Sequence, residues 1–290
     1  MSRSLRLLAT AAAVAVITAA CSTTIGGTGT PTTGSPSDTV ANPGGINVTG
    51  STVPDSETTT TEALSQPFVP RPLVLEKPEF EEVTITTSDD VDLHAEYYKR
   101  GPTAVLYTHH IATSRSGPFD HESNAPWTWT LAESGYTVLA PDFRGHGQSE
   151  GDIHVNRTKL DMTALYQFLV DEGFETIVSF NVWGSAPMAV NAQVTDDTID
   201  FDGMALLFTP LARNGNDLVT DLPNVDVPVW IVQSDFGSTG GIPHRLEPYT
   251  PNLWEGFVFP TVPSGLAFID VYGEEFAGRM IAFIEHIEQQ

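Results

Sequence analysis

Nucleophilic catalysis by a side chain needs a hydroxyl or thiol, an imidazole to take its proton, and an acid to orient that imidazole. One stretch of this chain offers a hydroxyl in a suggestive setting: Thr176-Ile-Val-Ser-Phe-Asn-Val-Trp-Gly-Ser-Ala-Pro-Met-Ala189. An apolar run ends in a turn of small residues, and a helix pattern follows. A strand–turn–helix of this kind can present Ser185 at the tip of a sheet. The Gly-x-Ser-x-Gly pattern that relieves crowding at such an elbow is absent. The candidate acid is Asp235, which follows Pro228-Val-Trp-Ile-Val-Gln-Ser234; its competing role is that of a turn residue capping its own backbone.

The candidate bases and metal ligands form a looser set: His109, His110, Asp120, His121, His146, Asp152 and His154. Zn²⁺ accepts His and carboxylate ligands, but no spacing among these residues matches a ligand motif. No metal and no other cofactor is expected. His244 and His286 are the later histidines. The first reads as a surface-loop residue and the second falls inside a helix pattern.

The elements that must position these groups follow from periodicity. Residues 83–87 and 91–98 alternate apolar and polar around Ser88-Asp-Asp90, which predicts a β-hairpin. Short apolar runs predict strands at 104–108, 135–140, 176–182, 203–208, 227–233 and 256–259. Helical spacing marks 127–134, 157–172, 186–194 and 274–289. In the last of these Phe276, Met280, Phe283 and Ile287 share a face. Strands alternating with helices after an opening hairpin imply an α/β domain with a mostly parallel central sheet. Ligands of such sheets sit beyond the carboxyl ends of the strands.

The chain ahead of this domain is of another kind. Residues 1–20 read as a secretory signal: Arg3 and Arg6, an apolar run from Leu7 to Ile17, then Ala19-Ala20 before Cys21. The stretch resembles a bacterial lipobox, which implies cleavage before a lipid-modified Cys21 and a site in the cell envelope, facing outside the cytoplasm. Cys21 is the single cysteine, so no disulfide can form within the chain. Residues 21–66 are rich in Thr, Ser, Gly and Pro and bury too little apolar surface to fold, which predicts a tether. Residues 67–290 form the domain. The charge of the whole chain excludes one class of partner: 37 acids against 13 bases give −24, which repels nucleic acid and anionic headgroups. The expected partners are a small-molecule ligand and, through Cys21, a membrane; no protein partner is legible.

Leu131-Ala-Glu-Ser-Gly-Tyr-Thr-Val-Leu-Ala-Pro-Asp-Phe-Arg-Gly-His-Gly-Gln-Ser149 closely resembles the α/β-hydrolase superfamily, with its Gly-Tyr-x-Val segment and Asp-x-Arg-Gly-x-Gly-x-Ser loop. With Thr108-His-His110 and Asp235, the resemblance runs from about Val83 to Ile287. It implies an α/β-hydrolase fold with a small cap or none, and a triad on three loops: a nucleophile after the fifth strand, an acid after the sixth or seventh, a His after the eighth. Asp235 falls in the acid column, without the usual Gly. The His column holds Ser264-Gly265-Leu266 and no imidazole. Three registers compete for the nucleophile column and place Val182, Ser185 or Ala186 there. Val182 is the first choice, and only Ser185 offers a hydroxyl. The resemblance also puts His109, His110 and Ala186 near the oxyanion hole. The expectation is a catalytically degenerate envelope lipoprotein with a ligand-binding or structural role; the alternative is a serine hydrolase acting on a small ester or amide through Ser185 and Asp235.

Overall fold

A computed structural model describes residues 68–109, 125–153, 157–213, 215–234, 242–260 and 266–290. Cys21, His110, Asp120, His121, His154 and Asp235 lie outside the described residues.

The strands are β1 (Glu81–Thr86), β2 (Asp92–Tyr98), β3 (Thr103–Thr108), β4 (Thr137–Pro141), β5 (Thr176–Val182), β6 (Gly203–Leu207), the short β7 (Ala212–Arg213) and β8 (Asn216–Asp217), β9 (Val229–Ser234) and β10 (Leu253–Phe259). Eight of them form one sheet in the order β1-β2-β4-β3-β5-β6-β9-β10. The hairpin β1–β2 is antiparallel, as is β2 against β4; from β4 onward every neighbour is parallel. β3, β4 and β6 are buried along their whole length. That is why they read as unbroken apolar runs: both faces of a parallel sheet are covered by helices.

The helices are α1 (Ala125–Glu133), α2 (Thr158–Asp171), α3 (Ser185–Thr195), α4 (Leu218–Asp221), α5 (Ile242–Leu246) and α6 (Leu266–Ile287). Leu165 and Leu169 of α2 and Ala186, Ala189 and Val190 of α3 pack on one face of the sheet with Leu106, Leu139 and Leu206. Trp127 and Leu131 of α1 and Phe276, Met280 and Phe283 of α6 cover the other, over Val105, Phe180 and Trp230. Among the described residues no helix is long and apolar enough to cross a membrane.

α6 starts at Leu266, well before the expected position 274. Its first turns, Leu-Ala-Phe-Ile-Asp-Val-Tyr-Gly, are apolar nearly all round, so no single face shows in the sequence. β10 likewise begins earlier than expected, with a register irregularity between Leu253 and Glu255. The β7–β8 hairpin carries no periodic signal, and it sits between β6 and α4 on the approach to the sheet's carboxyl edge.

Candidate functional site at the carboxyl edge of the sheet

β5 ends at Val182 and α3 begins at Ser185, so the connection is only Trp183-Gly184. Its backbone locates the elbow tip. Trp183 has φ +53°, a left-handed conformation that is unusual for a bulky residue. In this type of strand-to-helix turn the strained residue is the one delivered to the tip. The left-handed residue of this turn is therefore none of Val182, Ser185 or Ala186. Aligning Trp183 with the central residue of Gly-x-Ser-x-Gly places Asn181 and Ser185 in the two glycine positions. Both are short side chains two residues away, a spacing that the three registers weighed from the sequence do not use.

Each of the three candidates has another job. Val182 is the last residue of β5 and packs in the α1–α6 core. Ala186 is fully buried in the first turn of α3. Ser185 is fully buried too. Its hydroxyl donates to the Val182 carbonyl at 2.9 Å and accepts from Thr108 Oγ1 at 2.9 Å. Thr108 Oγ1 also lies 3.0 Å from Asn181 Oδ1, and Asn181 Nδ2 donates to Ser179 Oγ at 3.0 Å. These four side chains form a buried polar network directly beneath the turn, in which the Ser185 oxygen is satisfied on both sides.

A second left-handed residue stands beside the first. Phe208, just past β6, has φ +54°. Val182 pairs with Leu207 across the sheet, so Trp183 and Phe208 occupy matching positions at the carboxyl ends of adjacent strands. Backbone bonds hold both: Trp183 N–H to the Leu207 carbonyl at 2.8 Å, and Phe208 N–H to the Val232 carbonyl at 2.7 Å. Left-handed conformations of bulky residues cost about 1–3 kcal/mol each and persist where the surroundings over-determine them. Both rings are half-buried. Phe208 packs against Phe276 of α6 at 6.1 Å between ring centres. Arg213 of the β7–β8 hairpin sets its guanidinium over the Trp183 ring, 4.8 Å from the centroid.

His109 follows β3 and is buried. Its Nε2 accepts a hydrogen bond from the Phe143 N–H at 3.1 Å, which puts the ring proton on Nδ1. It thereby ties the end of β3 to the Asp142–Ser149 turn. His146 lies against it, ring centres 5.1 Å apart, with Nδ1 donating to the Arg144 carbonyl at 2.9 Å. The Ser185 hydroxyl is engaged with Val182 and Thr108 and with neither ring.

The other columns are partly visible. β9, the seventh strand of the sheet, ends at Ser234; Asp235, the next residue in sequence, lies outside the described residues. β10 ends at Phe259, and positions 260–265, Pro-Thr-Val-Pro-Ser-Gly, contain no histidine. His244 is exposed on α5. His286 lies near the end of α6 with its ring 6.0 Å from Trp254, a residue at the start of β10 and so at the opposite edge of the sheet. Among the described residues no three His, Cys, Asp or Glu side chains are grouped to share an ion.

The Arg144 loop shows the opposite pattern to the elbow, with charge buried on purpose. Arg144 Nε donates to Asp161 Oδ1 at 2.7 Å, and its two terminal nitrogens reach Asp89 at 2.9 and 2.8 Å. Burial pushes the Asp161 carboxyl up to about 6, against the lowering by its hydrogen bonds from Arg144. Hydrogen bonding from Arg144 holds the Asp89 carboxyl well below the usual carboxylate range.

No protein-family model matches the chain, and no curated protein matches it. Solved structures do. An esterase from Pyrococcus furiosus is 19% identical, with a TM-score of 0.59 over 76% of this chain and 98% of that one. An esterase from Exiguobacterium antarcticum is 11% identical, with a TM-score of 0.57 over 71% and 100%. A Butyrivibrio proteoclasticus protein, solved with ferulic acid bound, is 14% identical, with a TM-score of 0.57 over 72% and 100%. Together with the strand order, these likenesses establish an α/β-hydrolase fold.

Proposed function

We propose that this protein uses the α/β-hydrolase fold to bind a small molecule without hydrolysing it, and that it does so from the bacterial cell envelope, lipid-anchored at Cys21. The observation that carries the reading is Trp183. An indole stands at the strained strand-to-helix position where the fold presents its nucleophile. The indole N–H is a donor only, far too weakly acidic for an imidazole to deprotonate, and its nitrogen lone pair is delocalised into the ring and unsuited to attack a carbonyl. Two further observations support it. The hydroxyl two residues on, Ser185 Oγ, is fully buried and engaged twice. The loop after β10 carries no imidazole.

The comparisons favour a second reading. The matched solved structures include esterases, so hydrolysis of a small ester or amide through Ser185 and Asp235 is the rival. It requires Ser185 to leave its network and a histidine from outside the eighth-strand loop.

Turnover of p-nitrophenyl acetate by the full chain separates the two. The binding reading expects a rate equal to buffer for the wild-type protein and for Ser185→Ala. It also expects no gain in Trp183→Ser, since a restored hydroxyl still lacks its base. Turnover abolished by Ser185→Ala overturns it. The envelope assignment is tested separately by incorporation of radiolabelled palmitate into the wild-type chain and its loss in Cys21→Ala.

A further inference from the structure

The binding reading leaves open what is bound. The rim of the elbow narrows the choice. Trp183 and Phe208 stand side by side at the ends of β5 and β6, both half-buried and both held left-handed. A glycine would meet the same backbone geometry without strain, so the turn itself does not call for these rings. Strained residues of this kind concentrate at ligand clamps. Large aromatic side chains at the rim of a sheet's carboxyl edge suit flat, apolar partners.

Arg213 adds charge. It is one of only 13 basic residues against 37 acids, it is exposed, and among the described residues no carboxylate pairs with it. Its guanidinium covers the Trp183 ring at 4.8 Å. A guanidinium held over an aromatic ring still has its N–H fork to offer an acceptor. That fork matches a carboxylate, two parallel N–H donors to two oxygens.

We propose that Trp183, Phe208 and Arg213 form a binding site for a small aromatic carboxylate, the ring seated against the two aromatic side chains and the carboxylate on the Arg213 fork. This rests on the binding reading above and specifies its ligand class. The overall negative field opposes any anion, so affinity for a minimal ligand is expected in the millimolar range.

The test uses the full chain labelled with ¹⁵N. Its five tryptophans give five indole N–H signals, and Trp183→Phe identifies the one at the elbow. Benzoate, benzyl alcohol and cyclohexanecarboxylate are titrated in turn. Benzoate should shift the Trp183 signal and bind most tightly, with benzyl alcohol and cyclohexanecarboxylate each about fivefold weaker. Arg213→Gln should bring benzoate down to the level of benzyl alcohol; the residue is exposed, so the variant is expected to fold. A Trp183 signal unmoved by benzoate overturns the proposal, as does benzoate binding unaffected by Arg213→Gln. Ester turnover on the same sample keeps the two failures apart. Equal binding of benzoate and benzyl alcohol without turnover removes the ligand class and leaves the binding reading standing. Turnover lost in Ser185→Ala removes the binding reading itself.

Discussion

Two turns at the carboxyl side of the sheet make an instructive pair. In Asp142–Ser149 each left-handed position is a glycine, Gly145 at φ +71° and Gly147 at φ +50°. A Cβ on Gly147 would collide with the Asp142 carboxylate, which accepts from the Gln148 N–H at 3.0 Å. Ser149 Oγ donates to the Asp142 carbonyl at 2.6 Å and accepts from the His94 N–H at 2.9 Å. The sequence there matches what the backbone demands. At Asn181–Ser185 the backbone demands the same kind of tolerance, yet the left-handed position carries an indole. The first turn is fitted to holding the fold together. The second spends conformational energy on a large aromatic surface.

The contrast can be broken most severely at the first turn. Arg144→Met leaves Asp161, fully buried, without its charge partner. A loss of about 3–5 kcal/mol is expected, read as a drop in the urea midpoint. A smaller loss would mean that water or rearrangement reaches Asp161.

Glycine exchange sharpens the comparison directly. Gly147→Ala should cost about 2 kcal/mol or more, because it adds both a collision and a left-handed Cβ. Trp183→Gly should change stability by no more than ~1 kcal/mol, since relief of strain offsets the lost ring contacts. Paired thermal melts check both; a large loss at Trp183 would make the indole a core residue. Ser185→Ala should cost about 1–2 kcal/mol through the lost hydrogen bonds to the Val182 carbonyl and from Thr108 Oγ1, a structural effect expected in the melting temperature.

The smallest expected effect is on pH dependence. Asp89 has a folded pKa below its unfolded value. Its contribution is therefore present above the unfolded carboxylate pKa of about 4 and fades as pH falls below it. The stability gap between wild type and Asp89→Asn should be larger at neutral pH than in acid. A gap that grew in acid would reverse the assignment.

Much of the fold was legible because burial on both faces writes strands as apolar runs, and the Asp-x-Arg-Gly-x-Gly-x-Ser loop writes its own backbone constraints. Strand 176–182 was found to the residue. The elbow register was not. Trp183 reads as a core aromatic or strand end, because nothing in a sequence announces a bulky residue at positive φ. The sequence points to small flanks around Val182, Ser185 or Ala186, while Asn181 and Ser185 flank Trp183. Arg213 was also missed: the β7–β8 hairpin is two residues per strand and has no periodicity to detect.

The central claim is that the elbow carries no nucleophile, and a covalent probe addresses it most directly. The full chain is incubated with a fluorophosphonate and its intact mass is measured. The expected result is an unmodified mass for the wild-type protein. An adduct that forms on the wild type and is absent from Ser185→Ala would contradict the claim.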